Sequence, residues 1–297
     1  MINRSRFIPK LQNYQEFSIR ILVSSHPLVG YDEDSVAPSL ADTYAPSAIA
    51  NSLFQADPFI VLHEGFWYLF YEAFKDHEGK GVICALQSND LKDWESLGTV
   101  LEEPYHVSFP HVFAWDDSWW MIPETGSAAR TYLYRSIDFP YKWEKAALLF
   151  DFPVFDSHIW EHEGRYYIFT APTMRTLLLY YADRPLGPWR QHPMSPIVKS
   201  DLRTARPGGP IAHIGKKMYR FGQDCFGTYG RQLFAFEILE LSETAYKERP
   251  ACLRPKIGPG KERWRANGMH HLHTTPMPDG RWISVMDGWR WRRRWQS

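Results

Sequence analysis

Short apolar runs rich in aromatics come in pairs along this chain, each pair joined by a polar turn. Ala56-Asp57-Pro58-Phe59-Ile60 pairs with Trp67-Tyr68-Leu69-Phe70. Phe109-Pro110-His111-Val112-Phe113 pairs with Trp119-Trp120-Met121-Ile122, and Phe155-Asp156-Ser157-His158-Ile159 with Tyr166-Tyr167-Ile168-Phe169. The first and third copies align without a gap through His63-Glu64-Gly65 and His162-Glu163-Gly164. Weaker copies run from Arg206-Pro207-Gly208-Gly209-Pro210 to Met218-Tyr219-Arg220-Phe221, and from His271-Leu272-His273 to Trp282-Ile283-Ser284-Val285. The spacing of roughly 50 residues is that of propeller blades. Behind the pairs come third runs, such as Ile83-Cys84-Ala85-Leu86 and Leu177-Leu178-Leu179-Tyr180, then a polar turn and a segment opened by an aromatic, as at Trp94, Trp143 and Trp189. Coincidental tryptophan spacing in an irregular sandwich would not repeat at both ends of the unit.

This pattern predicts an all-β, five-bladed β-propeller with four-stranded blades, one domain over residues 1–297. Before the first copy, Phe17, Ile19, Ile21 and Val23 alternate with Ser18, Arg20 and Leu22, mostly at the period of a strand. Residues 17–23 are expected to close the last blade, with the C-terminal segment to about Met286 supplying only part of it. Residues 26–50, rich in Pro, Ser, Ala and Asp, read as a loop over one face. The tail 289–297, with Trp289, Trp291 and Trp295 among arginines, is expected to be a partly frayed terminus whose tryptophans pack on blade five. The other reading is an adhesive segment for an anionic surface or a membrane interface.

The repeat also says where a site must lie. In an antiparallel pair, the start of the first strand and the end of the second share one end. The innermost strands start at Asp57, Phe109, Asp156, Arg206 and near His271, and their partners end at Glu72, Glu124, Thr170, Gln223-Asp224 and Asp287. All should ring one mouth of the central channel. A ring of carboxylates in an aromatic funnel suits general acid–base work on sugars. Asp57, Asp156, Glu124 and Glu72 are the expected catalytic groups. Phe109, His111, His158, Arg206, Asp224 and His271 are the expected substrate contacts, with Tyr105, Trp115 and Phe155 near enough to stack on sugar rings. The plainer readings are a turn cap for Asp57 before Pro58, and salt bridges to Arg206 or Arg130 for Glu72 and Glu124. The run His270-His271-x-His273 is metal-capable. Without a second carboxylate cluster in sequence, ring-stacking or satisfied histidines are expected there, and no metal or other cofactor.

Composition narrows the class. Aromatics are 16% of the chain and fall at repeated positions, which argues for a large packed core. Lys plus Arg equals Asp plus Glu, 34 each, so there is no nucleic-acid signature. Cys84, Cys225 and Cys252 make neither a disulfide framework nor a metal spacing. Met1–Arg6 opens no apolar signal region, and no apolar run reaches transmembrane length. Cytoplasmic residence is the expectation.

Ala56-Asp57-Pro58-Phe59, the turns at Ser88 and Ser136, and Gly187-Pro188-Trp189 resemble the five-bladed propellers of glycoside hydrolase family 43 and its relatives. A closer likeness is to the N-terminal propeller domain of plant-type glucosamine inositolphosphorylceramide transferase proteins and their bacterial stand-alone homologues. It rests on Ala56-Asp57-Pro58-Phe59, Ser108-Phe109-Pro110-His111-Val112-Phe113, Ile122-Pro123-Glu124, Ala205-Arg206-Pro207-Gly208-Gly209 and Gln223-Asp224, and covers about residues 50–250. The family 43 resemblance implies an inverting site with Asp57 as base and Asp156 as the orienting carboxylate. Its general-acid Glu does not carry over: Gly208 stands in that place. Inversion needs an acid roughly 6.5–9.5 Å from the base, so Glu124, Glu72 or Asp224 would have to serve, Glu124 first because Glu72 shares a blade with Asp57. In the closer family the transferase chemistry is thought to reside in a separate domain. The resemblance thus implies a glycan or glycoconjugate as partner, and either glycosidase-like chemistry or a non-catalytic glycan-binding module accessory to a glycosyltransferase. A protein-interaction propeller, the remote third class, would show a broad apolar face instead of a charged funnel.

Overall fold

The computed structural model describes residues 11–30, 37–49, 52, 54–253 and 256–295. The terminus Met1–Arg6, part of the 26–50 loop and the last two residues of the tail lie outside the described residues. The chain forms five antiparallel sheets. Strand β1 (Leu11–Ser24) comes first. Blade one is β2 (Gln55–His63), β3 (Phe66–Lys75), β4 (Lys80–Ser88) and β5 (Glu95–Leu101). Blade two is β6 (Ser108–Trp115), β7 (Ser118–Glu124), β8 (Thr131–Asp138) and β9 (Lys142–Phe150). Blade three is β10 (Phe155–His162), β11 (Arg165–Thr173), β12 (Thr176–Ala182) and β13 (Arg190–Gln191). Blade four is β14 (Ala212–Ile214), β15 (Lys217–Asp224), β16 (Gln232–Leu241) and β17 (Tyr246–Ala251). Blade five is β18 (Leu272–Pro276), β19 (Trp282–Trp295) and the N-terminal β1, in the order β1-β19-β18. On the free edge of β1, Ile21 and Tyr44 exchange both backbone hydrogen bonds, so the Tyr44 segment takes the fourth place in the blade.

The core is distributed between blades. Ile283 and Val285 pack with Ile60 and Leu69 across blades five and one; Phe70 and Ala85 pack with Val112 and Met121 across one and two. Trp120 and Ile122 meet Ile159 and Ile168; Tyr167 and Phe169 meet Met218 and Ile238; Phe221 and Leu233 meet Leu272 and Met286. One apolar cluster at each of five interfaces is what closes the ring. It also explains the continuous apolar runs such as Ile83–Leu86. Both faces of such a strand are covered, and each buried Leu or Ile contributes about 1.5–3 kcal/mol.

Closure differs from the sequence reading in one respect. The strand from the C-terminus does not stop near Met286: β19 pairs with β1 residue for residue from Trp282↔Ser24 to Trp295↔Leu11. Trp289 is 1% exposed and its indole N–H donates to Gly230 O at 2.7 Å, whereas Trp291 is 53% exposed. The ladder, invisible in either terminus alone, outweighs the charge of the tail.

Candidate functional site

The hairpins set the register that builds the mouth. In blades one and three the two turn residues, Glu64-Gly65 and Glu163-Gly164, all have positive φ (48° and 82°, 51° and 75°), the backbone that matches strand twist in two-residue hairpins. At the other end, each of the first three inner strands carries a bulge at one repeat position. The register shifts between Ala56 and Phe59, Ser108 and His111, and Phe155 and His158. The residue inserted is Asp57, Phe109 or Asp156, with φ of 51°, 45° and 52°. Left-handed backbone at three non-glycine residues costs energy, and such strain concentrates where a side chain must be aimed. Opposite these bulges Ala56 pairs with Glu72 and Ser108 with Glu124; the equivalent in blade three is Ala171, one residue beyond Thr170.

The result is a ring of buried carboxyl groups, Asp57, Glu72, Glu124, Asp156, Asp224 and Asp287, none more than 6% exposed. Arg206 reaches across from blade four to blade three and grips Asp156 with both Nε and Nη2, the latter at 3.1 Å. Its guanidinium lies between the rings of Phe155 and Tyr229, 5.1 Å from each centroid. Gln223 adds an N–H to Asp156 at 2.9 Å. Arg206 is therefore not the partner of Asp224, Glu72 or Glu124. Asp224 instead accepts from Gln232 Nε2 at 2.8 Å and from the Phe226 N–H, and Arg130 pairs with Asp151 at the surface.

Asp287 is a hub. Its oxygens accept the backbone N–H groups of Asp57, His270 and His271 at 3.0–3.2 Å, and His270 Nδ1 lies 2.8 Å from Oδ2. Burial alone would push His270 down, but Asp287 and then Asp57 outweigh it, so its affinity for the proton is raised. Asp287 shifts the opposite way: burial would raise it, and His270 with the N–H donors holds it low. Asp57 has no such cage. Its Oδ1 is 3.7 Å from His271 Nδ1 and 3.9 Å from His270 Nδ1. Burial, opposed by His270 and reinforced by Asp156 and Asp287, pushes it to about 7. Burial first, then the charge of Asp156, raises Glu124, whose oxygens accept from Gly126 N–H at 2.5 Å and Ser108 Oγ at 3.1 Å. Glu72 is raised well above the usual carboxylate range by burial and by its acidic neighbours.

Beneath the mouth the channel is plugged by rings. Phe109 is fully buried, edge-on to Phe59 and to His271. His158 stacks flat on Phe169 at 5.2 Å. His111 Nδ1 accepts the Ile159 N–H and His273 Nδ1 the Ile60 N–H, each from a neighbouring blade. Burial keeps all four histidines neutral: His271 and His158 at about 3, His273 at about 4, His111 well below its usual value. A cavity of about 870 Å³ opens at the opposite end of the channel among Trp67, Trp119, Trp160, Phe113 and His273, and none of the ring carboxyls lines it.

Asp57, His270 and Asp287 bring ligand atoms within 4.8 Å of one another, which makes them the metal-capable group among the described residues. Asp287 is already saturated by N–H donors. A hard cation would find one uncommitted carboxylate, Asp57, where it needs six or more oxygen ligands.

Sequence reasoning placed Asp57, Glu72, Glu124, Asp156, Arg206 and Asp224 around one mouth, and the structure brings them together. It did not single out the His270–Asp287 pair, although Asp287 closes the ring of strand ends and His270 heads the His-His-x-His run. Tyr229, on the turn between β15 and β16, carried no repeat signal. A side chain at Gly208 would have to displace its neighbours: a Cβ there would sit 2.4 Å from Leu233 Cδ2 and 3.1 Å from His270 O. Among the described residues no helix is long and apolar enough to cross a membrane.

Comparison with known proteins agrees with this architecture. The catalytic domain of a GH62 alpha-L-arabinofuranosidase from Coprinopsis cinerea superposes with a TM-score of 0.59 at 12% identity, over 91% of this chain and 97% of that one. A GH43 alpha-L-arabinofuranosidase from Clostridium thermocellum gives 0.58 at 12% identity, over 79% and 82%. At such identity the likeness is one of fold. Relatives named glucosamine inositolphosphorylceramide transferase 1 are 34% identical in Oryza sativa subsp. japonica and 33% in Arabidopsis thaliana, each over 247 residues and 80% of this chain. The chain spans about a third of their length, 33% and 32%. Residues 35–289 match the family model described as glucosamine inositolphosphorylceramide transferase 1, N-terminal, and the chain belongs to that family.

Proposed function

We propose that the carboxyl-lined mouth binds a glycan and works on it by glycosidase-type acid–base chemistry. The observation that carries this reading is the ring of buried carboxyl groups at one mouth, Asp57 and Glu124 among them. Burial raises the proton affinity of both, that of Asp57 to about 7, as general acid–base work near neutral pH asks of its carboxyl groups. In an inverting step, Glu124 would give its proton to the leaving glycosidic oxygen. Asp57 would take a proton from the water that attacks the anomeric carbon from the other side. Asp156, clamped by Arg206 and Gln223, would hold the sugar from a fixed position. The fold neighbours named above are arabinofuranosidases and the family relatives are named as glucosamine inositolphosphorylceramide transferases, which supports a glycan or glycoconjugate as the ligand.

A second reading is favoured by a specific observation. The position matching the family 43 acid holds Gly208, which carries no carboxyl, and a side chain there would have to displace Leu233. The mouth would then recognise glycan without cleaving it, in the service of a glycosyltransferase. One experiment separates the two: incubation with a panel of glycans, watched by NMR for binding and for the anomer first released. Hydrolysis predicts an inverted product that disappears in Asp57→Asn and Glu124→Gln. Binding without product in the wild type would replace hydrolysis by recognition.

A further inference from the structure

The cavity of about 870 Å³ at the far end of the channel plays no part in the chemistry of the mouth. Trp67, Phe113, Trp119, Trp160 and Tyr166 line it, and all but Trp67 are only half-buried. Two of these rings are braced by neighbours: Trp119 stacks on Phe139 at 4.8 Å, and Trp160 tilts against His213 at 5.9 Å. On the channel side stand His111 and His273, which flank Phe59 at 5.4 and 5.7 Å. Each uses Nδ1 to accept a backbone N–H from a neighbouring blade, Ile159 at 3.1 Å and Ile60 at 3.2 Å. A neutral imidazole that accepts at one nitrogen carries its proton on the other. Burial keeps both rings neutral, so each presents an Nε2–H donor. Neither donor has an acceptor among the described residues, and neither is sealed in as the ring nitrogens of His158 and His271 are. An aromatic cup thus holds two neutral N–H groups with nothing to donate to.

We propose that this cavity is a second binding site, for a neutral oligosaccharide, separate from the carboxyl mouth. The rings of Phe59, Phe109 and His271 pack together between the two, so one ligand does not serve both. A purely apolar ligand would leave both N–H donors unpaired, which burial penalises. An anion would find no lysine or arginine among the residues of the cavity, and the carboxylate of Glu161 beside it. A cation would meet the positive ends of two N–H dipoles. The metal-capable group among the described residues lies at the other end, at Asp57, His270 and Asp287. A sugar satisfies both halves of the site. Its hydroxyl oxygens accept from the imidazoles, and its C–H faces lie on the aromatic walls. Its hydroxyl hydrogens have Thr275 to donate to, and the carboxylate of Glu161, of which Oε1 takes only the Gly164 N–H at 2.8 Å. A cavity of this order holds a ligand of several rings. A proline-rich peptide also brings carbonyl acceptors to aromatic walls, but it lies extended along a groove. Here Trp67, Phe113, Trp160, His213 and His273 come from five different blades, which makes a radial cup suited to a chain entering end-on.

The test titrates the whole chain, with isotope-labelled histidine, against maltohexaose, cellopentaose, xylohexaose and arabinohexaose. Hexagalacturonate and a proline decamer are the charged and peptide controls, and affinities come from calorimetry. At least one neutral sugar should move the Nε2 signals of His111 and His273 in NMR spectra and leave those of the sealed His158 and His271 in place. That sugar should bind roughly 10-fold or more tighter than hexagalacturonate, whose charge nothing in the cavity pairs. His273→Asn keeps an acceptor for the Ile60 N–H and removes the Nε2–H, so it should weaken binding about 10-fold. Trp119→Ala, which takes away a half-buried wall, should weaken it by about 10-fold or more. Asp57→Asn should leave the affinity of the cavity and both histidine signals as they are. The wild-type signals decide the matter even where a variant does not fold. Failure of all four sugars to move them, tighter binding of hexagalacturonate or of the proline decamer, or unchanged affinity in either cavity variant would overturn the proposal. Sugars that act at the mouth and move neither signal would sink this inference and leave the reading of the mouth standing. A sugar that moves both signals while the mouth neither binds nor cleaves would sustain this inference and remove that reading.

Discussion

Replacing Asp57 by Asn should stabilise the protein above neutral pH while removing its function. The carboxyl sits near 3.8 in the unfolded chain and is pushed to about 7 in the fold. Between those values the unfolded chain gives up the proton and the folded one keeps it. Stability from this group is therefore complete below about pH 4, falls as pH rises, and is lost once pH passes 7. A gap of three pKa units at 1.36 kcal/mol each is about 4 kcal/mol. Asn is nearly the shape of the neutral acid and, with Asp and Gly, tolerates the left-handed φ of 51° at this bulge. At pH 4 the two proteins should unfold alike. From pH 4 to 8 the gap should open in favour of Asn by up to about 4 kcal/mol, followed by urea denaturation at intervals of one pH unit. Parallel stability curves for wild type and variant across that range would refute the claim that Asp57 is buried without sufficient charge compensation. A variant less stable at pH 8 would show instead that His270 neutralises Asp57.

Arg206→Lys keeps the charge but loses the fork on Asp156 and the stacking between Phe155 and Tyr229, so it should cost about 1–3 kcal/mol in urea and weaken glycan binding. Gly208→Ala should cost about 1–3 kcal/mol through overpacking against Leu233, and Gly208→Glu should not create a working acid, as measured by denaturation and by glycan turnover. Trp289→Ala should destabilise by about 3–5 kcal/mol, and Trp291→Ala by under about 1, which tests the paired rather than frayed C-terminus.

The repeat was legible because each blade is a local unit. Its strands, hairpins and mouth-facing ends follow from nearby residues, as with His63-Glu64-Gly65 and its copy at 162–164. That is why Asp57, Asp156, Glu72 and Glu124 could be placed at one mouth before any coordinates. What was not legible lies between units. The grip of Arg206 on Asp156 spans blades four and three, and depends on a ring closure that no single repeat encodes. The pairing of β1 with β19 joins the two ends of the chain, so the tail looked like an unpartnered arginine-tryptophan run. The off-by-one at Thr170 is one of alignment: the count along the repeat that leads from Asp57 to Glu72 and from Phe109 to Glu124 leads from Asp156 to Ala171, because all three blades carry the same bulge and register.

The same bulge explains how one repeated position yields a site instead of three identical features. It aims its residue at the mouth whatever that residue is. In blade two the residue is Phe109, whose ring plugs the channel under His271. In blade three it is Asp156, neutralised by an arginine from the next blade. In blade one it is Asp57, whose backbone N–H is fixed by Asp287 while its carboxyl is left without a full partner. The backbone strain is common to all three, so its cost cannot be what selects the function. What differs between the three is which bulge residue the neighbouring blade compensates. Asp156 is compensated and becomes a fixed polar anchor. Asp57 is left uncompensated, and it is the group whose proton affinity is therefore free to respond to a ligand.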